Sequence, residues 1–90
     1  MKKFIIERDI ASIGSLDQNA LKEASGQSCD ALNKIGPQVQ WVESFVTADK
    51  TFCVYLAEDK SYIQQHAEIS GFPANKITEV VTMISPMTAG

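Results

Sequence analysis

This chain has one histidine, His66, and one tryptophan, Trp41, so any mechanism that needs two imidazoles in a single chain is excluded. It has two cysteines, Cys29 and Cys53, too few for a disulfide framework, and both read as free thiols. There is no CxxC pair, no HExxH, no glycine-rich phosphate loop and no GxSxG elbow. Their absence removes the common zinc, nucleotide and serine-hydrolase signatures. Basic residues cluster only at Lys2-Lys3, and the net charge is −3 with a pI near 4.9. Nucleic acid and anionic membranes are therefore not expected as partners. No apolar run approaches a membrane span. After Lys2-Lys3, the charges of Glu7, Arg8 and Asp9 end the apolar stretch before a signal-peptide core can form, so a cytoplasmic location is expected.

What the chain does have is ordinary globular content, with 44% hydrophobic and 21% charged residues. Ninety residues suffice for one domain, 1–90, and a domain of this size buries only about two-thirds of its unfolded surface. Covering one of its faces with a partner chain would widen a thin stability margin.

The pattern along the chain predicts β-α-β-β-α-β. Lys3–Ile10 is β-rich. Ser15 to Gln18 reads as a capping box opening a helix to about Ile35, with Leu21, Ala24, Ser25, Ser28, Leu32 and Ile35 on one stripe. Gly36 is expected as a left-handed cap, with Pro37 forbidding continuation. Val39–Ala48 and Thr51–Ala57 form a hairpin about Asp49-Lys50. Acid at Glu58 or Asp59 opens a second helix, with Tyr62, Ile63, His66, Ala67 and Ser70 on one side. Gly71 ends it, and Ile77–Ser85 reads as the last strand. This order is the split βαβ signature of a ferredoxin-like α+β fold: a four-stranded antiparallel sheet with both helices on one face.

Alternation along strands then assigns faces. Phe4, Ile6, Val42, Val46, Phe52, Val54 and Leu56 are expected beneath the helices. The opposite face is expected to carry Ile5, Glu7, Asp9, Trp41, Glu43, Phe45, Cys53, Tyr55, Ile77, Glu79, Val81 and Met83. A surface so apolar predicts a homodimer through that face, of the dimeric α/β-barrel type. Trp41, Phe45 and Tyr55 would line the resulting cleft. Glu7, Asp9, Glu43 and Glu79 offer hard oxygen donors, with His66 and Cys53 as softer ones. Such a mixture suits a divalent first-row ion, although no spacing demands it. The plainer readings compete. A lone histidine on an apolar helix face is more often a core residue than a ligand, a strand cysteine is more often a small hydrophobe, and strand carboxylates often pair with cations such as Arg8 or Lys76.

The stretch WVESFVTADKTFCVYLAEDKSYIQQHAEISGFPANKITEV, together with KFIIERDI and CDALNKIGPQVQWV, resembles a family of small bacterial proteins that includes a nickel-responsive, nickel-binding member from an actinobacterium. The likeness is densest at Asp49-Lys50, Cys53-Val54-Tyr55, His66-Ala67 and Gly71-Phe72-Pro73-Ala74. It implies a ferredoxin-like homodimer with nickel as the bound ion, and hence a role in sequestration or homeostasis. Two other readings remain open: a small dimeric monooxygenase- or isomerase-like enzyme using Glu43, Tyr55 and His66 as acid/base groups, and a non-catalytic interaction module.

Overall fold

The structure, a computed structural model, describes residues 1–90. Four strands and two helices follow in the expected order: β1 (Lys2–Asp9), α1 (Gln18–Ile35), β2 (Val39–Val46), β3 (Lys50–Ala57), α2 (Lys60–Ser70) and β4 (Lys76–Val80), with short 3-10 turns at Ile13–Ser15 and Pro86–Ala89. The sheet order is β2-β3-β1-β4 and all its pairings are antiparallel. This is the ferredoxin-like arrangement, with β1 and β3 central and β2 and β4 at the edges. No helix is long and apolar enough to cross a membrane.

The helices form where periodicity places them. All six residues of the α1 stripe, with Ala31, are buried or half-buried, as are the five of α2. The caps differ in detail. Ser15 lies in the preceding 3-10 turn, and the α1 cap is Asp17, whose carboxylate accepts from the Ala20 N–H at 2.8 Å. Asp59 caps α2 by accepting from the Ser61 N–H at 3.0 Å. This hydrogen bond to an exposed carboxylate holds its pKa below the usual value. Gly71 takes the left-handed conformation that ends α2, whereas Gly36 has φ 106° and ψ −165°, outside the left-handed helical region. Gly14 is needed for a close approach, since a Cβ there would lie 2.6 Å from the Thr47 carbonyl oxygen of the hairpin.

The core gathers Phe4 and Ile6 from β1, Val39 from β2, Cys53, Tyr55 and Ala57 from β3, and Ile63 from α2. The expected faces hold for β1 but not for β3. Phe4, Ile6 and Arg8 point toward the helices, and register pairs them with Tyr55, Cys53 and Thr51. Cys53 and Tyr55 are therefore core residues, and the greasier Phe52, Val54 and Leu56 point away. Cross-strand partners share a face, and this decides the matter where both faces of a central strand are apolar.

In β2 a bulge intervenes. Trp41 opposes Tyr55 but Glu43 opposes Val54, so Val42 is skipped. Trp41 thereby joins the helix side and Val42 is exposed, while Glu43 and Phe45 take the open side and Val46 the helix side, as expected.

β4 stops at Val80, five residues short of the expected end. Val80 opposes Lys3, and β1 begins at Lys2. Ile77 and Glu79 oppose Ile6 and Phe4, which puts them on the helix side of the sheet edge. Val81 and Met83 lie beyond the strand, exposed.

Ile63 is fully buried in the core, so truncating it removes apolar packing between α2 and the sheet. Ile63→Ala should cost about 2–5 kcal/mol in urea unfolding, whereas a loss under about 1 kcal/mol would mean that α2 is loosely seated.

Candidate functional site

Between α1 and the sheet lies a cavity of about 90 Å³ whose walls are mostly apolar. The polar groups buried beside it come from four elements. β1 contributes Arg8, 3% exposed; β3 contributes Thr51 and Tyr55; α1 contributes Ser28; and α2 contributes His66, fully buried. Each is placed by strand or helix period. Arg8 follows Phe4 and Ile6 at a spacing of two, Tyr55 follows Thr51 and Cys53, and His66 falls one turn after Ile63 on the inward side of α2.

These groups form a short chain of contacts. The Ser28 hydroxyl lies 3.3 Å from the Tyr55 hydroxyl and 3.1 Å from His66 Nε2. His66 Nε2 also lies 3.3 Å from the Ser28 carbonyl. A carbonyl only accepts, so this contact places the imidazole hydrogen on Nε2 and leaves Nδ1 as a bare, buried lone pair without a partner. Tyr55 and His66 pack as tilted rings with centroids 5.2 Å apart. Gln27 Nε2 donates to the Ser70 carbonyl, tying α1 to the end of α2 above them.

Arg8 is the one formally charged side chain among these buried groups. Nη1 donates to the Pro73 carbonyl at 2.7 Å and lies at the limit of reach, 3.5 Å, from that of Phe72. Nη2 is buried with no partner. None of the ion pairs in the structure involves Arg8. An uncompensated buried charge costs several kcal/mol even after relaxation. Burial raises the pKa of the Tyr55 hydroxyl, with Ser28 and the Arg8 charge opposing the rise. Burial first and the Arg8 charge second push His66 below its ordinary value, so the imidazole is neutral.

The six residues expected as metal donors do not meet in one chain. His66 and Cys53 are buried beneath the helices, Glu7, Asp9 and Glu43 sit on the opposite face of the sheet, and Glu79 is at the β4 edge. No three His, Cys, Asp or Glu side chains gather into a set able to hold an ion. Glu7 and Asp9 share Lys50, at 3.9 Å and 3.4 Å, and Lys76 is 4.0 Å from Glu7. Around His66 the fit to a cation is poor, because the nearest charge is Arg8 and no carboxylate is at hand. Of the expected cleft residues, Trp41 and Tyr55 line the cavity under α1 and Phe45 is on the open face. Arg8, Ser28 and Thr51 went unrecognised as site residues. The alternation from Phe4 through Ile6 already pointed Arg8 inward, and Ser28 was on the buried stripe of its helix.

The His66 shift fixes the sign of a pH dependence. The unfolded chain takes up the imidazole proton first, so stability is complete above about pH 6.5 and falls as pH drops below it. Urea midpoints measured from about pH 7.5 down to about pH 5.5 should decline, and His66→Gln should flatten the decline. An equal slope in the variant would assign it to another group.

Residues 4–80 match the family described as nickel responsive protein SCO4226-like. The fold is similar to the crystal structure of SCO4226 from Streptomyces coelicolor A3(2), with a TM-score of 0.76 over 91% of this chain and 99% of that one. The two sequences are 14% identical, so this likeness speaks for the fold alone. No curated protein matches in sequence. With the family match running from the first strand to the end of the last, the chain belongs to the SCO4226-like family.

Proposed function

We propose that this protein is a nickel-responsive homodimer that binds the ion as cargo, for sequestration or homeostasis, with donors contributed by the open sheet faces of two copies. The observation that carries this reading is the uncovered side of the sheet. Ile5, Phe45, Phe52, Val54, Leu56 and Val80 share it, and Phe45 is 56% exposed. An apolar surface of this kind is characteristic of an interaction face, and a second copy covers it with matching chemistry. The chain after β4 adds Val81, Ile84 and Met87, all exposed.

The same face carries Glu7, Asp9 and Glu43. One copy offers too few donors for an ion, whereas two copies related by a two-fold axis double them, and oxygen donors with water suit an octahedral divalent ion. In the single chain Glu7 and Asp9 are held by exposed lysines, and such pairs are weak enough for an ion to displace. His66 is left out of this set. Its burial, its contact with Ser28 and the neighbouring Arg8 charge all oppose a cation.

Calorimetry on dialysed protein should give stoichiometric Ni²⁺ binding. Glu43→Gln or Glu7→Gln should weaken it by about tenfold or more, equal to about 1.4 kcal/mol, while His66→Gln changes it by less than about twofold. No heat with Ni²⁺, Co²⁺ or Zn²⁺ at neutral pH removes the reading.

Phe45→Glu should convert a dimer to a monomer in sedimentation and abolish nickel binding with it. A wild-type chain that sediments as a monomer at tens of micromolar would dispose of the shared interface.

A further inference from the structure

We propose that the cavity beneath α1 binds a small organic monocarboxylate, with the Arg8 guanidinium holding the carboxylate and the apolar wall holding its short hydrocarbon tail. This site is on the opposite side of the sheet from the nickel reading and does not rest on it.

Three observations converge. Arg8 is 3% exposed, lines the cavity, and keeps Nη2 without a partner while Nη1 is anchored on the Pro73 carbonyl. Nη1 is thus anchored, and Nη2 has no hydrogen-bond partner in the chain. No carboxylate of the chain pairs with it, so a positive charge stands beside the cavity uncompensated. A water molecule would satisfy the hydrogen bond but leave the charge. An anion satisfies both, through a charge-assisted bond of the kind arginine makes with carboxylates.

The remaining walls select among anions. Ile13, Leu21, Ala24 and Trp41 line the cavity and offer an ion no charge. Thr51 and Tyr55 line it too, and each carries a hydroxyl able to donate to a second oxygen. A phosphate or sulfate dianion would bring more charge than one guanidinium compensates, and a cation would be repelled. The volume, about 90 Å³, is smaller than the roughly 150 Å³ of a cavity that takes benzene, so the tail is limited to a few carbons.

The test is titration of the wild-type chain with butyrate in the presence of a chelator, followed by amide NMR and calorimetry. Saturable binding of one butyrate per chain is expected, shifting the Leu21, Ala24 and Thr51 amides. Butyramide, of the same shape without the charge, should bind at least about tenfold more weakly. Arg8→Gln should lose binding to the same extent. Ala24→Leu, which fills the space while keeping Arg8 and a good helix former in α1, should also block it, with an unchanged circular dichroism spectrum. No saturation by about 50 mM butyrate, far above the millimolar range of a weak ligand, overturns the proposal. So does equal affinity for butyramide, unchanged binding in Ala24→Leu, or displacement of butyrate by equimolar chloride.

Discussion

The pairing of β1 with β3 along their full length, from Lys2 opposite Ala57 to Asp9 opposite Lys50, decides what nearly every functional side chain touches. One face of this pair carries the rows Phe4 with Tyr55, Ile6 with Cys53, and Arg8 with Thr51. The other carries Ile5 with Val54, Glu7 with Phe52, and Asp9 with Lys50. A slip of one residue would exchange the two faces, exposing the tyrosine and burying a carboxylate. The apolar weight of Phe4 and Ile6, covered by Ile63 of α2, holds the register where it is.

Along this pair the core changes character. Near Phe4 and Ala57 it is apolar and closed. Toward Arg8 and Thr51 it becomes polar and opens into the cavity. Ser28 lies between, touching both Tyr55 and His66. The two faces of the sheet consequently have opposite electrostatic logic. The side under the helices holds a buried cation and a neutral imidazole, an environment for anions. The open side holds Glu7, Asp9 and Glu43 among apolar side chains, an environment for cations or for a second copy of the chain. A net charge of −3 conceals this separation.

Much of the fold was legible because helix period is a local property. The α1 stripe and the α2 face could be read from spacing, and Gly71 and Asp59 act as their chemistry suggests. The candidate site was less legible. In β3 the alternate residues Phe52, Val54 and Leu56 are greasier than Cys53 and Tyr55, and hydrophobicity alone chose the wrong face. Both sets are apolar enough to be covered, so the choice belonged to register with β1. In β2 the bulge at Val42 moved Trp41 to the helix side without moving Glu43. A bulge of this kind leaves no mark in a run of Val, Trp and Phe. At β4 pairing with β1 ended at Val80, opposite Lys3, and the apolar residues Val81 and Met83 that follow are exposed, so their hydrophobicity did not mark a strand.

The sequence by itself determined the order of elements, the buried stripe of each helix and the inward set of β1, because these follow from backbone periods acting over a few residues. It also determined that only one imidazole is available. The tertiary structure alone decided that His66 and Cys53 lie on the other side of the sheet from Glu7, Asp9 and Glu43, and that Arg8 is left without a counter-charge beside a cavity. The physical reason is that strand pairing joins residues some fifty positions apart, and the side on which a side chain finds its neighbours is a property of the pair.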